Sequence, residues 1–174
     1  MNDRTLIHEI QKGNKELLGE VARRYYGDIY RFCAYLTGNV QDAADLAQET
    51  FCRFIRYVDG YRFRNLRAYL YAVARNACMD YFRAREIHVP LEDAPQAAEA
   101  ETGFARAELE SDLFVLLQKL NSTQREAILL YYYEELKLTD IARMTGAPLS
   151  TVKSRIRQGL GKLKKLCEQE GVTL

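Results

Sequence analysis

No cysteine in this chain stands where a metal would need it. Cys33, Cys52, Cys78 and Cys167 form no C-x-x-C pair, and neither His8 nor His88 lies at ligand spacing from them, which argues against structural zinc. No apolar run approaches membrane-spanning length, and the opening MNDRTLIHEIQKGNKE has no signal-like apolar core. The expected compartment is therefore the cytoplasm. H-E-x-x-H, a glycine-rich phosphate loop and G-x-S-x-G are all missing, so neither catalysis nor a cofactor is expected. There is no internal repeat. An excess of one charge is also lacking: 25 Lys and Arg stand against 24 Asp and Glu, a net +1. That balance by itself argues neither for nor against nucleic acid.

What is present is helical periodicity and an uneven distribution of charge. From Glu86 to Asp112 the charged groups are nearly all acidic, whereas from Ser150 to Leu166 they are Lys153, Arg155, Arg157, Lys162, Lys164 and Lys165, all basic. This asymmetry points to an acidic linker and a basic anion-binding face. The 174 residues suffice for one medium domain or two small ones.

The stretch Asn39 to Val58, NVQDAADLAQETFCRFIRYV, carries an apolar stripe at Val40, Ala43/Ala44, Ala47, Phe51, Phe54/Ile55 and Val58. Asn39 caps it, with Asp42 completing a capping-box-like pair. Its other face bears Asp42, Asp45, Gln48, Glu49, Cys52, Arg53 and Arg56, taken alone an ordinary solvated surface. Before it, Asp3 is expected to cap a short helix and Asn14 to cap a long one buried through Val21, Tyr25, Ile29, Phe32, Cys33 and Leu36. After it comes the basic and aromatic loop YRFRN, Tyr61 to Asn65, whose asparagine caps a third long helix. That helix is expected to bury Leu66, Tyr69/Leu70, Val73/Ala74, Ala77 and Tyr81, and to show Arg67, Tyr71, Arg75, Asn76, Met79 and Arg83. Aromatic rings beside arginines suit unstacked bases, the rings stacking and the guanidinium groups pairing with phosphates.

Residues 88–107 lose the helical period, gather two of the three prolines and read as a flexible linker. A second helical domain follows, 108–174. Leu109 to Leu120 form one stripe, and NSTQ (Asn121 to Gln124) opens a helix through Ile128, Leu129, Tyr132 and Tyr133. Thr139 then caps a short helix, Gly146-Ala147-Pro148 turns, and Ser150 caps a longer basic helix. This is a helix-turn-helix, whose second helix enters the major groove. Its start offers Ser150, Thr151, Lys153, Ser154, Arg155 and Arg157: hydroxyls and lysine for phosphates, arginine for the two acceptors of guanine. The fold expected is all-α, two small helical domains (1–87 and 108–174) on a flexible acidic linker.

Three motifs, in order, resemble those of an extracytoplasmic-function sigma factor of bacterial RNA polymerase, in the sigma-70 family. DAADLAQETFCRFIR (Asp42 to Arg56) is similar to the D-A-x-D-L-x-Q-E-x-F signature. NLRAYLYAVARNACMDYFR (Asn65 to Arg83) is similar to the R-A-W-L-Y-x-I-A-R-N-x-x-x-D-x-x-R helix. LTDIARMTGAPLSTVKSRIRQGLGKLKK (Leu138 to Lys165) is similar to the final helix-turn-helix.

The resemblance implies that Asp45, Gln48, Glu49 and Arg53 contact the clamp of the polymerase largest subunit. It implies that Tyr61, Arg62, Phe63, Asn65, Arg67, Tyr71, Arg75, Asn76 and Arg83 meet the minus-ten strand. Ser150, Thr151, Lys153, Ser154, Arg155 and Arg157 would read the minus-thirty-five duplex, with the second domain docking on the flap of the second-largest subunit. It also implies an anti-sigma factor, often membrane-bound, as a controlling partner. Asp80 matches a family aspartate and is assigned no contact. Two departures stand out: Tyr69 in place of tryptophan, and Gly159 and Gly161 where helix formers usually sit. At about 1 kcal/mol each, these glycines either loosen the helix or permit a close backbone approach. The competing readings are a stand-alone regulator, which needs only the helix-turn-helix, and an enzyme, which no motif supports.

Overall fold

The structure is a computed structural model of the chain, and its described residues are 1–62, 64–87 and 111–173. Phe63 and the predicted linker 88–107 lie outside them. The chain divides into two compact units, Met1–Ala98 and Glu99–Leu174. Among the described residues both units are helical and neither contains a strand.

The first unit is built on three long helices: α2 (Leu18–Thr37), α3 (Val40–Tyr57) and α4 (Leu66–Ile87), which pack on one another. The short α1 (Asp3–Gln11) lies against two 3-10 turns, Lys15–Leu17, which leads into α2, and Val58–Gly60, which ends α3. The breaks fall where local chemistry puts them. Gly38 adopts a left-handed conformation (φ 73°) behind α2, the role glycine fills without a Cβ penalty. Asn39 then caps α3 by accepting the Asp42 amide at 3.0 Å. The expected capping box is only half present. Asp42 turns its carboxylate to the Tyr81 hydroxyl at 2.5 Å, and the Asn39 amide donates instead to the Thr37 hydroxyl. At the N-terminus the cap is Asn2, one residue before the predicted Asp3.

The core joins Leu6, Ile7 and Ile10 of α1, Val21, Ile29, Phe32 and Leu36 of α2, Ala43, Leu46, Ala47 and Phe54 of α3, and Leu66, Leu70, Ala74 and Ala77 of α4. Tyr25, Tyr69, Val73 and Tyr81, expected on the buried stripes, are only half-buried, and two placements are reversed outright. Ile55, assigned to the α3 stripe, is 50% exposed, and Leu46 is buried in its place. Tyr71, assigned to the outer side of α4, has no exposed surface and meets Phe32 edge to face at 5.2 Å.

Among the described residues the second unit sets three short helices and a π turn beside one long helix: α5 (Asp112–Gln118), α6 (Ser122–Ile128), the π turn (Leu129–Tyr133), α7 (Leu138–Thr145) and the long α8 (Leu149–Glu170). Ser111 caps α5 and Asn121 caps α6 through their side-chain oxygens. Arg125, half-buried, donates to the carbonyls of Leu117, Gln118 and Leu120, closing the carbonyl end of α5. Desolvation lowers its guanidinium below the usual arginine range. The π turn inserts an extra residue into the period, so Leu129 and Leu130 are buried while Tyr132 and Tyr133, expected on the stripe, face outward. Neither Thr139 nor Ser150 acts as a cap. The cap positions fall two residues earlier, at Lys137 before Leu138 and at Pro148 before Leu149, and neither start has a side-chain cap bond. Pro148 (φ −57°, ψ 150°) sets the entry into α8 by its ring alone.

The two unusual glycines separate. A Cβ on Gly159 would stand 2.6 Å from Ile128 Cδ1 and 3.3 Å from Gln124 Cβ. Here the backbone of α8 comes directly against α6. Around Gly161 nothing lies within 4 Å.

Candidate functional site

On α3 the spacing of three and four residues brings Asp45, Gln48, Glu49, Cys52 and Arg56 to one exposed face. Arg53 sits at its edge, half-buried. Its Nε donates to Glu49 at 2.7 Å and its Nη2 to Asp80 of α4 at 3.1 Å. These bonds, that to Glu49 first, raise the guanidinium above its usual range and keep it charged. Asp80, assigned no contact from sequence, thus joins two helices: it also accepts from Arg83 at 3.2 Å. The i, i+3 spacing of Asp80 and Arg83 was visible in the sequence, but the link to Arg53, across two helices, was not.

The loop before α4 is held from several sides. The Tyr61 ring lies 4.4 Å from that of Tyr69, and its hydroxyl accepts the Arg64 amide at 3.4 Å. Asn65 spends its side-chain oxygen on the Ala68 amide at 3.1 Å, as the predicted cap of α4. Arg62 and Asn76 are exposed. Arg67 and Arg75 are half-buried, with the Arg67 guanidinium carbon 5.6 Å from the centroid of the Tyr71 ring. Arg83 is exposed beside Asp80. Tyr71 is a correction. With no exposed surface and the Arg67 guanidinium over its ring it has no face open to a base, and its role is to pack α4 on α2 and to underlie Arg67. Near the end of α4, Arg85 stacks on Tyr81 at 4.8 Å and pairs with Asp42 at 3.8 Å. Burial and the Asp42 bond push the Tyr81 hydroxyl up to about 12.

In the second unit, α7 ends on a left-handed Gly146 (φ 67°) and the chain re-enters helix at Leu149. Val152 and Ile156 anchor the start of α8 in the core. The positions around them turn outward: Ser150, Lys153 and Arg157 are exposed, and Thr151, Ser154 and Arg155 are half-exposed. Among the described residues none of Lys153, Arg155 and Arg157 has an acidic partner. The predicted base-reading end is therefore on the surface and cationic, with only the Ser154 hydroxyl engaged, by Gln158 Nε2 at 3.4 Å, among the described residues. Among the described residues no group of His, Cys, Asp and Glu could hold a metal ion, and no helix is long and apolar enough to cross a membrane.

Residues 21–86 match the family Sigma-70 region 2, and residues 112–163 match Sigma-70, region 4. The chain is 29% identical to the ECF RNA polymerase sigma factor SigW of Bacillus subtilis, over 91% of this chain and 93% of that protein. It is 30% identical to the ECF RNA polymerase sigma factor SigC of Mycobacterium tuberculosis, over 93% of this chain and 89% of that one. The chain belongs to the ECF RNA polymerase sigma factors. Its fold is also that of the sigma factor RpoE of Bartonella quintana, solved in complex with the anti-sigma factor NepR. The TM-score is 0.70 at 23% identity, covering 86% of this chain and 96% of that one. As a sigma factor it directs promoter-specific transcription initiation. The α3 and α4 faces belong to its region 2, and the start of α8 belongs to its region 4.

Proposed function

We propose that this sigma factor is a dissociable specificity subunit whose three faces have separate partners. The α3 face, Asp45, Gln48, Glu49 and Arg53, meets the clamp of the polymerase largest subunit. Arg62, Asn65, Arg67, Arg75, Asn76 and Arg83, with the Tyr61 loop, meet the minus-ten strand. Ser150, Thr151, Lys153, Ser154, Arg155 and Arg157 read the minus-thirty-five duplex, while the second unit docks on the flap of the second-largest subunit. Residues 88–107 link the two. One observation supports the reading: apart from the buried Tyr71, the described residues assigned as contacts on α3, α4 and α8 turn at least partly outward, while the apolar positions of the same motifs, such as Ala43, Leu46, Leu70 and Ala74, fill the core. Direct base contacts at α8 discriminate by about 1–3 kcal/mol each, and the arginines of α4 supply the phosphate contacts that hold register.

Bond formation belongs to the polymerase, and this chain acts beside it in the cytoplasm with no chemistry of its own. An anti-sigma factor, as in the RpoE–NepR complex, is the expected regulator, and co-purification with such a partner tests that part. The main test is run-off transcription with core polymerase on a library of genomic fragments. Start sites that depend on this chain, preceded by two shared elements at fixed spacing, are expected. No stable complex with core and no chain-dependent start sites would overturn the reading.

A further inference from the structure

Gln11, the last residue of α1, reaches across to the connection between α3 and α4. Its Nε2 donates to the Val58 carbonyl at 2.8 Å and to the Tyr61 carbonyl at 2.7 Å. An amide nitrogen has two hydrogens, and both are used here. Because both partners are acceptors, the side-chain oxygen could not take its place. The two carbonyls stand at the entry and the exit of the 3-10 turn Val58–Gly60, which is itself closed by the Tyr61 amide on Val58 at 3.2 Å. Lys15 adds an ion pair to Asp59 in the middle of the same turn. One side chain of the first helix therefore pins both ends of the turn from which the chain departs carrying Arg62 and Arg64, both exposed.

Gln11 is itself on the surface, and Leu6, Ile7 and Ile10 seat α1 without it. Removing its side chain opens no cavity and leaves α1 docked. What it frees is the direction of the loop, because a turn of this size with unpinned ends samples other exits. We propose that Gln11 is a positioning residue for minus-ten recognition: it orients the loop of Arg62 and Arg64 toward the DNA strand without touching it. The inference rests on the reading of that loop as a minus-ten contact.

The test uses full-length chain with core polymerase and a promoter recovered by the run-off experiment. Two single-stranded probes are compared, its minus-ten strand and the same strand scrambled. Gln11→Ala should cut the preference for the true strand about fivefold to tenfold, the equivalent of one or two ordinary hydrogen bonds. Gln11→Glu, which keeps the size but sets a carboxylate against two carbonyls, should cut it at least as far. Affinity for core and thermal stability should stay as in the parent. Unchanged preference in both Gln11 variants, with the preference lost in Arg62→Ala and Arg64→Ala, would overturn the inference and leave the loop reading standing. Unchanged preference in the arginine variants as well would remove the loop reading and the inference with it. Loss of preference in step with core affinity and melting temperature would also overturn it, by making Gln11 a structural residue only.

Discussion

In the first unit Arg53 divides its guanidinium between Glu49 and Asp80, Arg83 shares the same Asp80, and Arg85 lies on Tyr81 beside Asp42. In the second, Lys153, Arg155 and Arg157 stand at the head of α8 with no acidic partner among the described residues. The difference fits the separate roles proposed for the two surfaces. The α3 and α4 faces are mixed in sign, and their long side chains are ordered before any partner arrives. Part of the entropy that binding would otherwise cost is thereby already spent. On the proposed reading, the cations at the head of α8, without an acidic partner among the described residues, would meet phosphates, where affinity comes largely from released counterions.

The largest effect that tests this contrast concerns Tyr71. If the first unit organises its surface from a buried aromatic layer, Tyr71→Ala should cost about 3–5 kcal/mol, the range for deleting a large buried ring. Hydrogen exchange should show the loss at amides of α2 and α4. A stable variant defective only in DNA binding would instead return Tyr71 to the surface.

Next in size is Asp45→Arg. Asp45 is exposed on α3, so the fold should tolerate the change. Binding to core polymerase should weaken about a hundredfold, near 2.7 kcal/mol. Reversing Glu49 is a less clean test, because it also removes one of the two carboxylate partners of Arg53. Core affinity measured by titration, beside an unchanged melting temperature, decides the matter.

Tyr71 also marks the limit of what the sequence made legible. Helix number, order and most breaks could be read because they are local: Asn39, Asn65 and Asn121 cap where expected, and Gly38 and Gly146 stop the helices before them. The centring of the α4 stripe could not. Its buried positions are Leu66, Leu70, Tyr71, Ala74, Ala77 and Cys78, but tyrosines at 69, 71 and 81 and arginines at 67 and 75 flank both sides, and tyrosine suits either environment. In LLYYY, uniformly apolar, no period signals the π turn. Of the site, exposure at α3 and α8 was legible from helical spacing. The tie from Arg53 to Asp80 and the reach of Gln11 are tertiary and left no local trace.

A third effect separates ordered charge from free charge by pH. The Tyr81 hydroxyl is held above its ordinary 10.0, first by burial and then by its bond to Asp42. A raised pKa means that its contribution is complete below pH 10 and is lost as pH rises through about 12. Tyr81→Phe should lose on the order of 1–2 kcal/mol at neutral pH and show a shallower alkaline decline. Tyr25, raised by burial and by its bond to Asp3, keeps part of that decline in the variant. A wild-type stability curve that is flat in this window would break the contrast.

Smaller still are single cations on α8. Lys153→Ala and Arg157→Ala should each weaken binding to minus-thirty-five duplex severalfold and reduce the log–log salt slope by about 1. Arg83→Ala should change the minus-ten slope by less, since Asp80 already balances that charge. Equal slopes would mean that the ion pairs of the first unit open on binding.

The smallest expected effect contrasts two positions in one helix. Gly161 has open space around it, so Gly161→Ala should raise stability by about 0.5–1 kcal/mol, the ordinary helix preference for alanine. Gly159→Ala gains the same preference, but its methyl would meet Ile128 Cδ1 at 2.6 Å and Gln124 Cβ at 3.3 Å. Ile128 can turn its terminal carbon only within a buried site, and the Gln124 Cβ moves only with its helix. Overpacking of this kind costs about 1–3 kcal/mol, so the net change at Gly159 should be a loss. Paired thermal melts of the two variants read the sign directly. Gains of equal size at both positions would mean that α6 and α8 separate freely, and the glycine would then serve no contact between them.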